Sequence, residues 1–189
     1  VHLYEKNSYL GGKWLVSFAP PGREPLRLFL TWLIREAKSA GVKFYLGTEV
    51  NAKVLKLENA EEVIVTIGAN PVMPNIPGIK QRHVFTGEQV LMGNVDLGKR
   101  VVVVGAGGAG VEVAHFIAMR NHINRDLKAH LESYGGYEAV EDVLRQSGQE
   151  VTLIGRNPRL GTGLGPAPRC VLVEELETVS YTHLRAHET

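Results

Sequence analysis

The run from Arg100 to Gly110, RVVVVGAGGAG, constrains the fold more than any other feature of the chain. Four consecutive valines are typical of a strand that is buried on both faces, as in a parallel sheet. The strand leads directly into three glycines, and the segment VEVAHFIAM that follows has apolar residues at helical spacing. A strand, a glycine-rich turn and a helix in this order predict a site for the pyrophosphate of a dinucleotide.

Each glycine of the pattern has a physical role in such a site. Gly105 permits the tight turn, Gly107 lets the backbone approach the phosphates, and Gly110 lets the helix pack close to the strand. A glycine-rich turn in an unrelated α/β protein is the alternative interpretation. The candidate site is the whole turn, with Gly105, Ala106, Gly107, Gly108, Ala109 and Gly110.

The first residues of the chain have the pattern of a second dinucleotide site. The segment from Val1 to Glu5, VHLYE, is a short alternating strand that ends in an acid, and Gly11-Gly12 follow a polar turn that begins at Lys6. An acid at the end of the second strand accepts hydrogen bonds from the adenosine ribose in dinucleotide folds. The first strand and its glycine loop would lie upstream of Val1, so we expect the chain to begin inside a domain. Alone, Glu5 would more often be a solvated strand end.

Composition excludes several classes of function. The formal net charge of +1 gives no electrostatic case for nucleic acid or a membrane surface as a partner. No apolar run approaches the length that spans a bilayer. Cys170 is the only cysteine, which excludes disulfide frameworks and cysteine-bound clusters within this chain and leads us to expect a cytoplasmic protein.

Local patterns predict the remaining elements. A helix begins near Pro25 and ends before Gly41, and a second, short helix runs from Thr86 to Met92, capped by Thr86 with Gln89 three positions on. Strands are predicted from Val42 to Leu46, from Val63 to Ile67 with its end at Gly68, and from Val151 to Ile154. Lys53 to Leu57 alternates, with a polar turn from Glu58 to Glu62, and Gly161 to Pro168 is predicted to be a loop.

With these pieces placed, the chain resembles the paired domains of two-dinucleotide flavoprotein reductases. More narrowly, it resembles the C-terminal part of the NADH:flavin oxidoreductase and 2,4-dienoyl-CoA reductase family. The segments that carry the resemblance occur in family order: LYEKNSYLGGK, APPGREPLRLFLTWL, GVKFYLGTEV, VIVTIGANPVMPNIPGI, FTGEQVL and GKRVVVVGAGGAGVEVAHF. A looser match continues to about residue 175 and includes VTLIGRNPRLGTGLG.

The resemblance implies an α/β fold of two Rossmann-like, three-layer domains. Residues 1–97 would be a partial FAD-binding domain, and residues 98–178 an NAD(P)-binding domain with a helical insertion at 121–148. Arg100–Val104 is expected to be the central strand of the second domain. Residues 179–189 resemble translated sequencing-adapter read-through and match nothing in the family, so we expect a non-native tail without a metal site.

The family's FAD-binding positions are carried over residue by residue. Glu5 matches the acid that binds the ribose, Gly11-Gly12 match the pair beside the flavin, and Val50 matches a residue whose backbone reads adenine. This chain departs from the family twice, since Ile67 is inserted between Thr66 and Gly68 and Lys13 replaces a common Gln. The FAD positions are Glu5, Lys6, Gly11, Gly12, Lys13, Val50, Thr66 and Gly68.

The resemblance implies a flavoprotein oxidoreductase module that passes a hydride from NAD(P)H to FAD. The family's upstream part is a (β/α)₈ barrel with FMN and a 4Fe-4S cluster, which passes electrons to an unsaturated small-molecule substrate of the enoate or dienoyl-CoA type. No catalytic side chain is assigned here, because the substrate-reducing residues of the family lie in that barrel. A structural ADP-binding scaffold without electron transfer, and the reductase subunit of another system such as glutamate synthase, are the alternatives.

The residues after the second strand of the NAD(P) domain favour NADPH over NADH. An NAD-binding site ends this strand with Asp or Glu, whereas here Gly155 occupies that position and Arg156 follows it. A glycine gives room for the 2′-phosphate, and a guanidinium supplies a charged, forked donor to it. Arg156 is therefore the candidate ligand of the 2′-phosphate.

Overall fold

The computed structural model describes residues 1–20, 22–120, 133, 149–178 and 181–185. The chain divides into two units, Val1–Val84 and Phe85–Thr189, and each contains a small parallel sheet with helices. The sequence analysis places the boundary after residue 97. The structure groups residues 85–97 with the second unit, in which Val90 is part of the buried core. The insertion expected at 121–148 lies outside the described residues, apart from Ser133.

The first unit is built on two parallel strands, β1 (His2–Glu5) and β2 (Lys43–Leu46). Its helices are α1 (Trp14–Ser17), α2 (Glu24–Ser39) and α3 (Ala52–Glu58). Two of the three strands predicted in this unit are confirmed, and β1 does belong to a sheet separate from the glycine-rich unit. The predicted long helix is also confirmed, with Pro25 in its first turn and Gly41 at a φ of +79° just beyond its end.

Two expectations for the first unit are wrong. Residues 52–58 form α3 instead of an alternating segment followed by a turn at Glu58, because the side chain of Asn51 caps the helix by accepting hydrogen bonds from the N–H groups of Lys53 and Val54. Val63–Ile67 is not a buried strand, since Ile64 and Ile67 are 86% and 91% exposed and no described strand pairs with this segment. A strand needs a paired neighbour to satisfy its backbone groups.

The second unit is built on a three-stranded parallel sheet in the order β3 (Arg100–Val104), β4 (Glu150–Gly155), β5 (Tyr181–Arg185). Its helices are α4 (Gly87–Leu91), α5 (Gly108–Met119) and α6 (Pro166–Thr178). The capping box at Thr86 confirms the prediction of α4. The predicted loop at 161–168 is shorter than expected, because the helix already begins at Pro166, where proline is well tolerated in a first turn.

β3 and β4 are parallel as expected, but β3 is not the central strand. Among the described residues β4 lies in the middle, with β3 on one side and β5 on the other. β5 belongs to the segment that we expect to be a non-native tail; its backbone pairs in register with β4 from Val151 to Gly155. Because strands pair through backbone groups that every residue has, this pairing does not depend on the origin of the segment. The non-native origin of residues 179–189 stays a prediction.

The core of the second unit lies between α5 and one face of this sheet. Val111, Ala114 and Ile117 on α5 are almost completely buried, and Val151 and Leu153 of β4 face them. On the opposite face Val102 and Val104 are 57% and 64% exposed. The described helices therefore cover one face at β3, and a three-layer arrangement stays a prediction.

Candidate dinucleotide site

The turn from β3 into α5 is held to the neighbouring strand by its backbone. The N–H of Gly105 donates a hydrogen bond of 2.7 Å to the carbonyl oxygen of Ile154, at the end of β4. Gly105 has a φ of +113°, a conformation that L side chains rarely adopt. The chain can therefore leave the sheet abruptly after Val104 and begin the helix at Gly108.

Gly110 is the position where the helix and the turn come closest together. A Cβ atom there would lie 1.6 Å from the carbonyl oxygen of Gly105. That oxygen belongs to the backbone and cannot rotate away, so only glycine fits. This close approach is the role that the sequence pattern assigns to the third glycine.

The N-terminus of α5 has free backbone donors. Its N-cap residue, Gly107, has no side chain to cap the helix. The N–H of Gly108 donates to the carbonyl oxygen of Thr162 at 3.0 Å, and the N–H of Val111 donates to that of Gly107. The N–H groups of Ala109 and Gly110 have no acceptor among the described residues. Free donors at the positive end of a twelve-residue helix are suited to bind an anion.

A second segment, from Arg156 to Thr162, lies beside this turn. The N–H of Gly161 donates to the carbonyl oxygen of Ala106 at 2.9 Å, and Gly107 forms an isolated parallel bridge with Thr162. An open cleft of about 620 Å³ lies between the two segments and is lined by residues 105–107, 156–158 and 162. The structure thus brings Arg156 to the same cleft as the glycine-rich turn.

Gly155 is more constrained than the sequence indicates. It is buried at the end of β4, and a Cβ atom there would lie 2.3 Å from the Cβ of Ala106. The expected role of this glycine is to leave room for a phosphate. In the structure its missing side chain is room for the glycine-rich turn itself.

Three residues that are not among the expected binding residues also line the cleft: Asn157, Pro158 and Thr162. Asn157 shapes the loop after β4, because its Oδ1 accepts the N–H of Arg159 at 2.9 Å. Of this part of the chain, the sequence predicts only a loop at 161–168 and the role of Arg156, since residues that contribute backbone groups leave no characteristic side-chain pattern.

The expected FAD residues of the first unit are only partly brought together. The carboxylate of Glu5 accepts the N–H of Asn7 at 2.8 Å, and the carbonyl of Glu5 accepts the N–H of Thr48 at 2.9 Å. These bonds, with that from the N–H of Gly47 to the carbonyl of Asn7, join the turn after β1, which includes Lys6, to the turn after β2. Val50 lies two residues beyond Thr48 and is exposed.

Gly11 and Gly12 form the turn that starts α1. Both have positive φ values, of 113° and 47°, and the carbonyl of Gly11 accepts the N–H of Trp14. A Cβ on Gly11 would lie 2.6 Å from the side chain of Leu30, so this glycine lets α2 pack against the turn. Lys13 is the N-cap residue of α1.

Thr66 and Gly68 belong to neither the helices nor the strands of the first unit. Both are exposed, within a stretch from residue 63 to 76 that has no helix or strand. Gly68 has a φ of +74° and no atom within 4 Å of an added Cβ. No hydrogen bond between this stretch and the turn after β1 occurs among the described residues.

A cluster of titratable side chains joins β1 to the end of α3. The carboxylate of Glu58 accepts hydrogen bonds from the hydroxyl of Tyr4 and from Nδ1 of His2, and Tyr4 stacks on Tyr45 with ring centroids 4.6 Å apart. The bond to Glu58 raises the pKa of Tyr4 to about 12, since ionised Tyr4 would lose this acceptor. The same bond, with that from His2, lowers the pKa of Glu58.

His115 on α5 is buried, with a relative exposure of 2%. Its Nε2 lies 2.7 Å from Oε2 of Glu175 on α6, without the alignment of a hydrogen bond. The contact therefore joins the two helices by packing, and the residue does not line the cleft. Among the described residues, no group of three or more His, Cys, Asp or Glu is placed to hold a metal, and no helix has the length and apolar character to cross a membrane.

Comparison with known proteins identifies the family. Residues 39–179 match the family described as pyridine nucleotide-disulphide oxidoreductase. The chain belongs to this family. The match covers the cleft, both of its segments and the end of the first unit, so the chain is of the oxidoreductase class and its family is one that binds FAD and NAD(P)H.

Curated relatives of this family member are named as redox enzymes. The chain is 37% identical over 122 residues to an NADH oxidase from Thermoanaerobacter brockii, a match that covers 62% of this chain and 19% of that protein. It is also 37% identical over 118 residues to a bilirubin reductase from Mediterraneibacter gnavus, covering 62% of this chain and 18% of the relative. The chain spans about a fifth of the length of these relatives.

A cinnamate reductase from Clostridium sporogenes is 32% identical over 114 residues, covering 60% of this chain and 17% of the relative. Among solved structures, a 2-naphthoyl-CoA reductase complex with 2-naphthoyl-CoA is similar, with a TM-score of 0.77 at 19% identity. That similarity covers 98% of this chain and 24% of the other. At 19% identity, this similarity supports the assignment of the fold alone.

Proposed function

We propose that the second unit of this chain binds NAD(P)H in the cleft between residues 105–107 and 156–158. The observation that carries the proposal is the pair of free N–H groups of Ala109 and Gly110 at the start of α5, next to this cleft. A pyrophosphate is the ligand that such donors fit best, because it brings negative charge to the positive end of the helix. The nicotinamide cofactor supplies hydride chemistry when it is bound.

The residues of the chain bind and orient the cofactor in this proposal. The glycines at 105, 107 and 110 keep the backbone close to the phosphates, and no side chain projects from Gly107 or Gly108 into the approach. Ala106, Gly108 and Ala109 provide the backbone between them. No nucleophile or acid–base pair is required, since the reacting atoms belong to the cofactors.

We also propose that the first unit contributes to an FAD site, as the family assignment supports. Glu5, Lys6, Gly11, Gly12, Lys13 and Val50 are the residues of the turns after β1 and β2 that would hold the cofactor. Thr66 and Gly68, in the exposed stretch described above, are the remaining residues of the proposed site. FAD, held by these residues, would supply the hydride-accepting chemistry, and the residues of the chain would bind and orient it.

The proposed activity of the full protein is reduction of an unsaturated small molecule. The relatives named cinnamate reductase and 2-naphthoyl-CoA reductase support substrates with conjugated double bonds. The onward path through FMN and a 4Fe-4S centre in a barrel domain is part of this proposal and rests on the resemblance of the sequence to the 2,4-dienoyl-CoA reductase family.

Arg156 makes NADPH the favoured cofactor. Its side chain lines the cleft directly after the buried Gly155, where an NAD-binding protein has an acid. A guanidinium there can donate charge-assisted hydrogen bonds to a 2′-phosphate, which NADH lacks.

The experiment that tests the site is a titration of both cofactors against the full protein and its Arg156→Ala variant. We expect the variant to lose roughly 1.5–3 kcal/mol of binding free energy for NADPH and little for NADH. Arg159→Ala is the matched control, because Arg159 is exposed and does not line the cleft. Equal losses for both cofactors, or a wild-type preference for NADH, would contradict the assignment to NADPH.

A further inference from the structure

Arg169 on α6 is tied to the loop that borders the cleft. Its Nε donates a short hydrogen bond of 2.6 Å to the carbonyl oxygen of Leu160. The side chain is partly buried, and Leu160 is itself a member of the hydrophobic core. The bond therefore connects the first turn of α6 to the backbone of the loop at a point that solvent reaches poorly.

The stem of Arg169 also packs on the next residue of this loop. A Cβ atom on Gly161 would lie 3.2 Å from Cγ of Arg169, tighter than most such contacts, and Gly161 has a φ of +67°. A side chain at this position would strain the backbone and would require the stem of Arg169 to shift. Two independent contacts thus fix the position of residues 160 and 161 relative to α6.

The same short loop holds the glycine-rich turn. Gly161 donates its N–H to the carbonyl of Ala106 at 2.9 Å, and the carbonyl of Thr162 accepts the N–H of Gly108 at 3.0 Å. These bonds lie on either side of Gly107, the N-cap residue of α5. The contacts form a continuous series from Arg169, through residues 160–162, to the backbone beside the proposed pyrophosphate site.

We propose that Arg169 is a positioning residue for dinucleotide binding, an inference that rests on the function proposed above. Its donor holds residues 160–162, and these hold the turn at 106–108 in the conformation that presents the free N–H groups of Ala109 and Gly110. A site whose donors are already in place loses less conformational entropy when the ligand binds. Without the bond from Arg169, the loop and the turn sample more conformations, and the cofactor must order them.

Two substitutions separate the donor from the bulk and the charge of the side chain. Arg169→Met keeps an unbranched stem of similar length and removes the donor. Arg169→Gln removes the charge but places an amide nitrogen at the same number of bonds from Cα as Nε of arginine. We expect the Met variant to bind NADPH about three- to tenfold more weakly, as for loss of one hydrogen bond, and the Gln variant to stay within about twofold of wild type.

Amide hydrogen exchange on the same proteins without cofactor provides a readout that does not depend on activity. In the Met variant the amides of Gly161 and Gly108 should exchange faster than in wild type, while that of Gly105, which is bonded to β4, should not change. The Gln variant should restore the protection of Gly161 and Gly108. A role confined to the stability of α6 would instead raise exchange in α6 and leave these two amides unchanged.

The outcomes separate this inference from the function on which it rests. If wild type does not bind NADPH, the proposed function fails, and the exchange of Gly161 and Gly108 still decides whether Arg169 holds the loop. If wild type binds and the Met variant binds equally well, the positioning role is overturned. Should the Met variant not fold, the Gln variant decides, because a tenfold loss there would mean that the charge matters and the donor at Nε does not.

Discussion

At the scale of single residues, Gly110 is the most strictly determined position in the site. Its Cα lies so close to the Gly105 carbonyl that a methyl group would overlap a backbone atom. Side-chain repacking cannot relieve such an overlap, so the helix or the turn would have to move.

We expect Gly110→Ala to destabilise the second unit by about 3 kcal/mol or more and to abolish NADPH binding. The matched control is Gly98→Ala, where an added Cβ meets nothing within 4 Å and the φ is ordinary. The control should lie within about 0.5 kcal/mol of wild type. Denaturant unfolding of both variants measures the difference, and a Gly110→Ala protein as stable as the control would contradict the geometry.

Tyr4 and Glu58 give a pH-dependent prediction. The pKa of Tyr4 is raised from 10.0 to about 12, so its contribution to stability is complete below pH 10.0 and is lost as the pH rises to about 12. The lowered pKa of Glu58 has the opposite sign: its contribution is present above its ordinary pKa of 4.5 and is lost as the pH falls through the lowered value.

A spectrophotometric titration of the phenol groups tests this assignment. Wild type should show a tyrosine that ionises near pH 12, and Tyr4→Phe should remove this late transition. Glu58→Gln should move it toward 10.0, because the charged acceptor is lost. A late transition that persists in Tyr4→Phe would assign it to another residue.

Sequence and structure agree at residues whose role is local. The roles of the three glycines of the turn could be predicted from the sequence, because the residues that constrain one another there lie within six consecutive positions. Two other contacts could not be predicted from the sequence. Gly155 and Ala106 are distant in sequence, and the bond from Arg169 to Leu160 uses a backbone carbonyl as its acceptor.

At the scale of elements, the same distinction holds. The capping box of α4, with Thr86 and Gln89, is a local signal and predicted the helix. The cap of α3 by Asn51 is an equally local signal, but the alternating pattern of residues 53–57 predicts an extended segment instead of the helix. The fate of residues 63–67 depends on a partner strand, which no local pattern specifies.

Thr86→Ala should destabilise the second unit by about 1 kcal/mol, since the N-terminal donors of α4 lose their acceptor. Thr86→Ser keeps the hydroxyl and should behave nearly as wild type. Thermal unfolding monitored by circular dichroism compares the two variants. Equal melting temperatures for Ala and Ser would show that the cap contributes nothing.

At the scale of the whole molecule, the two units differ in how the expected binding residues are placed. Gly105, Ala106, Gly107 and Arg156 line one cleft, whereas Thr66 and Gly68 lie in an exposed stretch without helix or strand. The resemblance therefore specified the family and its cofactors better than it specified the packing of this chain.

We expect this chain, produced by itself, to contain much less than one FAD per molecule and to aggregate. Apolar side chains from Val63 to Ile67, together with Val102 and Val104 on the edge strand β3, are exposed. Flavin absorbance relative to protein concentration gives the FAD content, and light scattering gives the aggregation. Stoichiometric FAD in a monodisperse sample would contradict this expectation.

The contact between Gly155 and Ala106 has a consequence for how cofactor choice changes during evolution or by design. Since the two positions share one small volume, a side chain at 155 overlaps the Cβ of Ala106, and the N and Cα atoms of residue 106 would still lie 3.2 and 3.3 Å from the added Cβ. Introducing the acid of an NAD-binding protein at 155 alone should therefore destabilise the turn before any gain of specificity appears. Ala106→Gly removes the worst of the overlap, and the backbone of the turn must shift by a few tenths of an ångström for the rest, so cofactor choice at this position is coupled to the glycine-rich turn.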